Sequence, residues 1–67
     1  MLEIFINNTP HTLKQELDLQ TLLTHLNLSS QGIAIAVNDA VIPKNEWPDH
    51  SLKNHDKIIL IQATQGG

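Results

Sequence analysis

The chain has 67 residues, a formal net charge of −3 and no cysteine. A domain this small buries only about 60% of the surface its unfolded chain exposes, which leaves little room for a deep catalytic cleft. Neither a disulfide nor a cysteine-bound zinc can staple the fold, so an apolar core must hold it. The basic residues are Lys14, Lys44, Lys53 and Lys57, scattered through an acidic chain. Such a surface repels a phosphate backbone, and a nucleic-acid partner is not expected. No apolar run approaches the roughly 20 residues that span a bilayer, and no charged segment followed by an apolar stretch opens the chain. The expectation is a soluble cytoplasmic protein with no membrane partner.

Leu2, Ile4 and Ile6 alternate with Glu3, Phe5 and Asn7, the two-residue repeat of a strand with one buried face. Asn7-Asn8 signals a turn, and a second short strand is predicted over Pro10 to Leu13. Asp18 reads as the N-cap of an amphipathic helix of two to three turns, with Leu19, Leu22, Leu23 and Leu26 on one side. His25 falls on its polar side. After Ser29-Ser30-Gln31-Gly32, the run Ile33 to Val37 predicts a further strand, closed by a tight turn at Asn38-Asp39. A short extended piece at Val41-Ile42 stops at Pro43. Lys44 to Asn54, interrupted by Pro48, reads as a loop with at most one helical turn. Lys57 to Gln62 is a strongly β-prone strand, and Ala63-Thr64-Gln65-Gly66-Gly67 trails from it.

One helix can cover only one face of such a sheet. If Leu2, Ile4, Ile6, Ile33, Ile35, Val37, Ile58 and Leu60 point at the helix, alternation turns Phe5, Ala34, Ala36, Ile59 and Ile61 to the open face. A clustered apolar patch there is a candidate partner-docking surface.

The two terminal glycines carry the most chemistry in the chain. Glycine has no Cβ, so a Gly-Gly end can thread a narrow slot and present its carboxylate to another protein's active site. A frayed terminus rich in small residues fits the same two letters. The four histidines, at positions 11, 25, 50 and 55, include no pair at helical i+3 or i+4 spacing, and no metal site is expected. No Ser-His-Asp set or glycine-rich phosphate loop is present, so the chain reads as a non-enzyme without catalytic residues of its own. Trp47, beside Pro48, reads as a core plug rather than a recognition residue. Asp39 and Glu46 read as solvated loop charges.

The segments Ile35-Ala36-Val37-Asn38-Asp39, Val41-Ile42-Pro43-Lys44, Glu46-Trp47 and Ile61-Gln62-Ala63-Thr64-Gln65-Gly66-Gly67 together resemble the ThiS family, sulfur carriers of thiamine biosynthesis. The resemblance covers essentially the whole chain. It implies an α+β, ubiquitin-like β-grasp domain over residues 1–62, with a mixed sheet of four to five strands packed on one helix, and a flexible tail over 63–67. It also implies that Gly67 is adenylated with ATP and magnesium by a ubiquitin-activating-type enzyme and then converted to a thiocarboxylate. Gly66, Gln65 and Thr64 would thread into that partner. A cysteine desulfurase or similar enzyme would supply the sulfur, and thiazole synthase would accept it. The carrier itself would bind no cofactor. Molybdopterin or another client, or a β-grasp binding module without covalent chemistry, are the alternative readings. Where the family often has an Asp-Gly-Asp turn before the last strand, this chain has Asn54-His55-Asp56, and the turn is expected to use Asn54 or a different geometry.

Overall fold

The structure is a computed structural model, described here over residues 1–62. Chain order gives β1 (Leu2–Ile6), β2 (Thr9–Leu13), α1 (Leu19–His25), β3 (Ile33–Val37), β4 (Ala40–Ile42), a 3₁₀ segment (Lys44–Asp49) and β5 (Lys57–Gln62). The five strands form one sheet in the order β2-β1-β5-β3-β4. The last strand therefore lies in the middle, parallel to β1 and antiparallel to β3. β2 starts one residue before the predicted Pro10, and β4 one residue before Val41.

Both hairpins close through two asparagine-led residues in the left-handed region: Asn7 (φ 49°) with Asn8 (φ 69°), and Asn38 (φ 50°) with Asp39 (φ 72°). Two successive positive φ values match the right-handed twist of the flanking strands, which is why short polar residues occupy these positions. Register then follows, with Ile6 opposite Thr9 and Val37 opposite Ala40.

The helix begins at the expected cap, Asp18, and ends at His25, ahead of the Ser29-Ser30-Gln31-Gly32 segment. The Asp18 carboxylate accepts from the Thr21 backbone N–H at 2.7 Å and from the Thr21 hydroxyl at 3.0 Å, satisfying one of the unpaired first-turn donors. At the other end Asn27 takes φ 60°. Its N–H donates to the Thr24 carbonyl at 3.0 Å, and the Leu28 N–H reaches the Leu23 carbonyl at 2.9 Å. This paired pattern is a Schellman motif with asparagine in the usual glycine position.

Leu19, Leu22 and Leu23 of α1 pack on Ile4, Ile6, Ile35, Val37 and Ile58 of the sheet, with Leu13, Trp47 and Leu52 closing the sides. Burying each such aliphatic side chain stabilises by about 1.5–3 kcal/mol relative to exposure. Trp47 is 1% exposed and its indole N–H donates to the Ile42 carbonyl at 2.9 Å, so it serves packing, as its neighbourhood predicted. The loop after it is tied to the helix entrance by Leu19 N–H to His50 carbonyl (3.1 Å) and Leu52 N–H to Leu17 carbonyl (2.8 Å). His25, Asp39 and Glu46 are exposed.

The turn before β5 takes the second of the two expected routes, a geometry that does not place Asn54 in left-handed backbone. His55, not Asn54, takes the positive φ, at 72°. Asn54 keeps an ordinary backbone and accepts from the Glu3 N–H through Oδ1 at 2.8 Å, while the His55 N–H donates to the Glu3 carbonyl at 2.6 Å. Asn54 is thus used as a bridge to β1, which leaves the left-handed position to the residue after it.

Candidate functional site: the open sheet face and the end of β5

The face opposite the helix is built by alternation across four strands. Ile59 and Ile61 of β5 stand opposite Ala36 and Ala34 of β3, and Ala36 in turn stands opposite Val41 of β4. On the other side of β5, Phe5 is in register with Lys57 and, across the hairpin, with Pro10. The expected set of Phe5, Ala34, Ala36, Ile59 and Ile61 therefore lies on one contiguous surface. Phe5 and Ala36 are half-buried, Ala34 is exposed, and Ile59 and Ile61 are 36% and 57% exposed. The small alanines on β3 leave the larger isoleucines of β5 standing out from the sheet. Val41 belongs to the same surface, is 75% exposed, and was missed by sequence reasoning. A three-residue strand is too short for alternation to assign its faces.

This surface is weakly charged. Lys57 lies beside Phe5, and Glu3 lies on the same face of β1 next to Thr12 of β2. An apolar centre with charge at one margin suits a protein partner, where aliphatic and aromatic groups provide the buried contact and polar groups the rim.

β5 is held differently on its two sides. Towards β3 the register runs the whole length, from Val37 opposite Ile58 to Ile33 opposite Gln62. Towards β1 the register is short, Phe5 with Lys57 and Ile6 with Ile58. Beyond it the Asn7 side chain takes over. Its Oδ1 accepts from the Leu60 N–H at 2.9 Å and its Nδ2 donates to the Leu60 carbonyl at 3.3 Å. The start of β5 is fixed by Asn38, whose Oδ1 accepts from the Lys57 N–H at 3.0 Å and whose own N–H donates to the Lys57 carbonyl at 2.8 Å. Thr64, Gln65, Gly66 and Gly67 lie outside the described residues. What the fold supplies to them is the central strand they follow and the apolar face on which that strand lies.

Two hollows line other parts of the surface. One, of about 490 Å³, lies between the β2–α1 connection and the helix, bordered by Lys14, Leu17 and His25. The second, of about 420 Å³, lies beneath the β3–β4 turn beside His50 and Asp56. Both Asp56 carboxylate oxygens already accept hydrogen bonds, from Asn38 Nδ2 at 3.0 Å and from the Lys53 N–H at 2.8 Å. No helix is long and apolar enough to cross a membrane among the described residues.

Comparison with known proteins places these features in a family. Residues 4–67 match the model of the ThiS family. The sulfur carrier protein ThiS of Escherichia coli is 35% identical over 46 residues, covering 69% of this chain and 70% of that protein. The uncharacterized protein ycf40 of Porphyra purpurea is 32% identical over 66 residues, 98% of this chain and 93% of that one. In three dimensions, the crystal structure of the thiamine biosynthesis protein ThiS from Geobacter metallireducens aligns with a TM-score of 0.85 over 98% of this chain and all of that one. At 19% identity that likeness speaks for the fold, which is the ubiquitin-like β-grasp.

Proposed function

The chain belongs to the ThiS family, and from that premise we propose that it is a cytoplasmic sulfur carrier of thiamine biosynthesis whose working group is the carboxylate of Gly67. The observation that carries this reading is the family match over residues 4–67, which takes in both the β-grasp body and the Gly66-Gly67 pair. Residues 1–62 serve as the body and residues 63–67 as the reach.

A carboxylate is a poor electrophile and must be activated. In the proposed cycle a ubiquitin-activating-type enzyme, using ATP and magnesium, joins the Gly67 carboxylate to AMP and releases pyrophosphate. Sulfur then forms the C–S bond as the C–O bond to AMP breaks and AMP leaves. With a donor such as a cysteine desulfurase the attacking atom is the outer sulfur of its persulfide, and a thiol reductant supplies the two electrons that cleave the resulting S–S bond to give the thiocarboxylate. The resulting thiocarboxylate passes its sulfur to thiazole synthase. The carrier contributes placement: an acyl group without a side chain beside it, held close to the partner's reacting atoms. Ordering the reach costs about 1–2 kcal/mol of backbone entropy per residue, which contacts at Phe5, Ile59, Ile61, Ala34, Ala36 and Val41 offset on docking. Gly66, Gln65 and Thr64 enter the partner's slot.

Intact-mass analysis tests the proposal. The full chain, incubated with an adenylating partner, ATP, magnesium and a sulfur donor, gains the mass of one oxygen-to-sulfur exchange, localised to Gly67. A chain lacking Gly67, or extended by one residue beyond it, gains nothing while melting as the parent does. A parent that stays unmodified, or an extended chain that is modified equally well, overturns the reading.

A further inference from the structure

We propose that Asn7 is a positioning residue: its side-chain amide stands in for the strand that β1 no longer supplies, and so sets the line along which β5 delivers the chain end. Backbone groups of alternate β5 residues face β1. The Asn7 N–H donates to the Ile58 carbonyl at 2.9 Å, and the next pair of groups on that side belongs to Leu60. A continuing parallel ladder would meet Leu60 with backbone from β1. Instead, the chain leaves the ladder at φ 49° for Asn7 and 69° for Asn8 to enter β2. The Asn7 carboxamide presents the same donor and acceptor as a peptide unit, and closes both Leu60 groups at 2.9 and 3.3 Å. Among the described residues no register with β1 exists beyond Ile6 and Ile58, and this amide is the last tie from that side. Without it, β5 past Ile58 is held from β3 alone and can splay away from β1.

The inference rests on the reading of Gly67 as the activated group, because aim matters only if the end must reach a partner's active site. A misaimed end leaves the docking face intact. It therefore lowers the fraction of docked carriers whose carboxylate meets ATP, which acts on kcat rather than KM.

The test uses the full chain with Asn7→Gly, which keeps the positive φ at no steric cost and removes only the amide. Asn8→Gly, at the neighbouring turn position, is the control. In the isolated chain, amide exchange at Leu60 is expected to accelerate about tenfold in Asn7→Gly and to stay at the parent rate in Asn8→Gly. In steady-state adenylation by the partner, kcat of Asn7→Gly falls about fivefold with KM within about twofold of the parent. Asn7→Asp, which retains the acceptor for the Leu60 N–H, recovers part of the Leu60 protection. Unchanged Leu60 exchange in Asn7→Gly overturns the tether, and faster exchange with unchanged kcat overturns its role in aiming. A parent that the partner fails to adenylate sinks the carrier reading by itself, and the aiming role with it, while the exchange measurement still decides whether Asn7 holds Leu60.

Discussion

The Asn38 side-chain amide donates to the Asp56 carboxylate at 3.0 Å, joining the β3–β4 turn to the residue just before the central strand. Asp56 is 9% exposed and is the buried charged residue among those described. Its other oxygen accepts from the Lys53 N–H at 2.8 Å. Replacing Asp56 with alanine strands the Lys53 N–H and the Asn38 amide together. We expect a loss of about 1.5–3 kcal/mol, the range for hydrogen bonds to a charged group, since both bonds are part-buried; it is read as a lower urea midpoint at unchanged slope. Asp56→Asn, which retains one acceptor, falls between. A parent-like midpoint for Asp56→Ala would show the pairing to be energetically idle.

His55 occupies left-handed backbone at φ 72°, a conformation that costs a residue with a Cβ roughly 1–2 kcal/mol. Asn54, the bridging residue, is unaffected by a change at its neighbour. His55→Gly is therefore expected to stabilise by up to about 1 kcal/mol, the relief being partly cancelled by the greater freedom of glycine in the unfolded chain. Thermal melting reads this directly, and a lower melting temperature contradicts it.

The Thr21 backbone N–H, at 2.7 Å, is the main reason the Asp18 carboxyl is held below its ordinary 3.8; burial opposes it, and the Thr21 hydroxyl adds a lesser lowering. A carboxyl depressed in the folded state adds stability above its unfolded value, and that part is lost as pH falls through the folded one. Because the group is solvent-exposed, the effect is modest and screened by salt. Asp18→Asn keeps a capping oxygen without the charge. Its urea midpoint should lie below the parent's at neutral pH and converge on it as pH falls below the ordinary aspartate range. A gap that stays constant down to strongly acid pH would remove the ionised cap from the account.

Phe5→Glu and Ile61→Glu place a carboxylate in the apolar face without touching the core beneath. Each is expected to weaken binding to the adenylating partner about tenfold or more, as loss of a buried apolar anchor does, with only a small change in melting temperature. Val41→Glu, at the margin formed by β4, behaves likewise if the surface extends that far. Calorimetric titration settles each case, and affinity equal to the parent's excludes that residue from the interface.

Much of the fold was legible because its determinants are local. The alternation of Leu2, Ile4 and Ile6, the helical spacing of Leu19, Leu22 and Leu23 after Asp18, and the Asn38-Asp39 turn each act through neighbours along the chain. Alternation also separated Ile35 from Ala34 and Ala36, and so drew the open face before strand order was known. What escaped notice depends on distance or exception. The bond from Asn7 to Leu60 spans 53 positions, and no period or propensity announces it. His55 was passed over because histidine is a less usual occupant of left-handed backbone than its neighbour asparagine. Val41 lay in an element too short to show a rhythm. Gly66 and Gly67 drew attention through chemistry alone.

The position of β5 between β1 and β3 has a mechanical consequence. On the proposed reading, an enzyme gripping the chain end would load β5 along its axis, with cross-links on both flanks lying at right angles to the load. Force so applied would shear many bonds at once rather than unzip them singly from an edge, a load that a central strand resists better than an edge strand does.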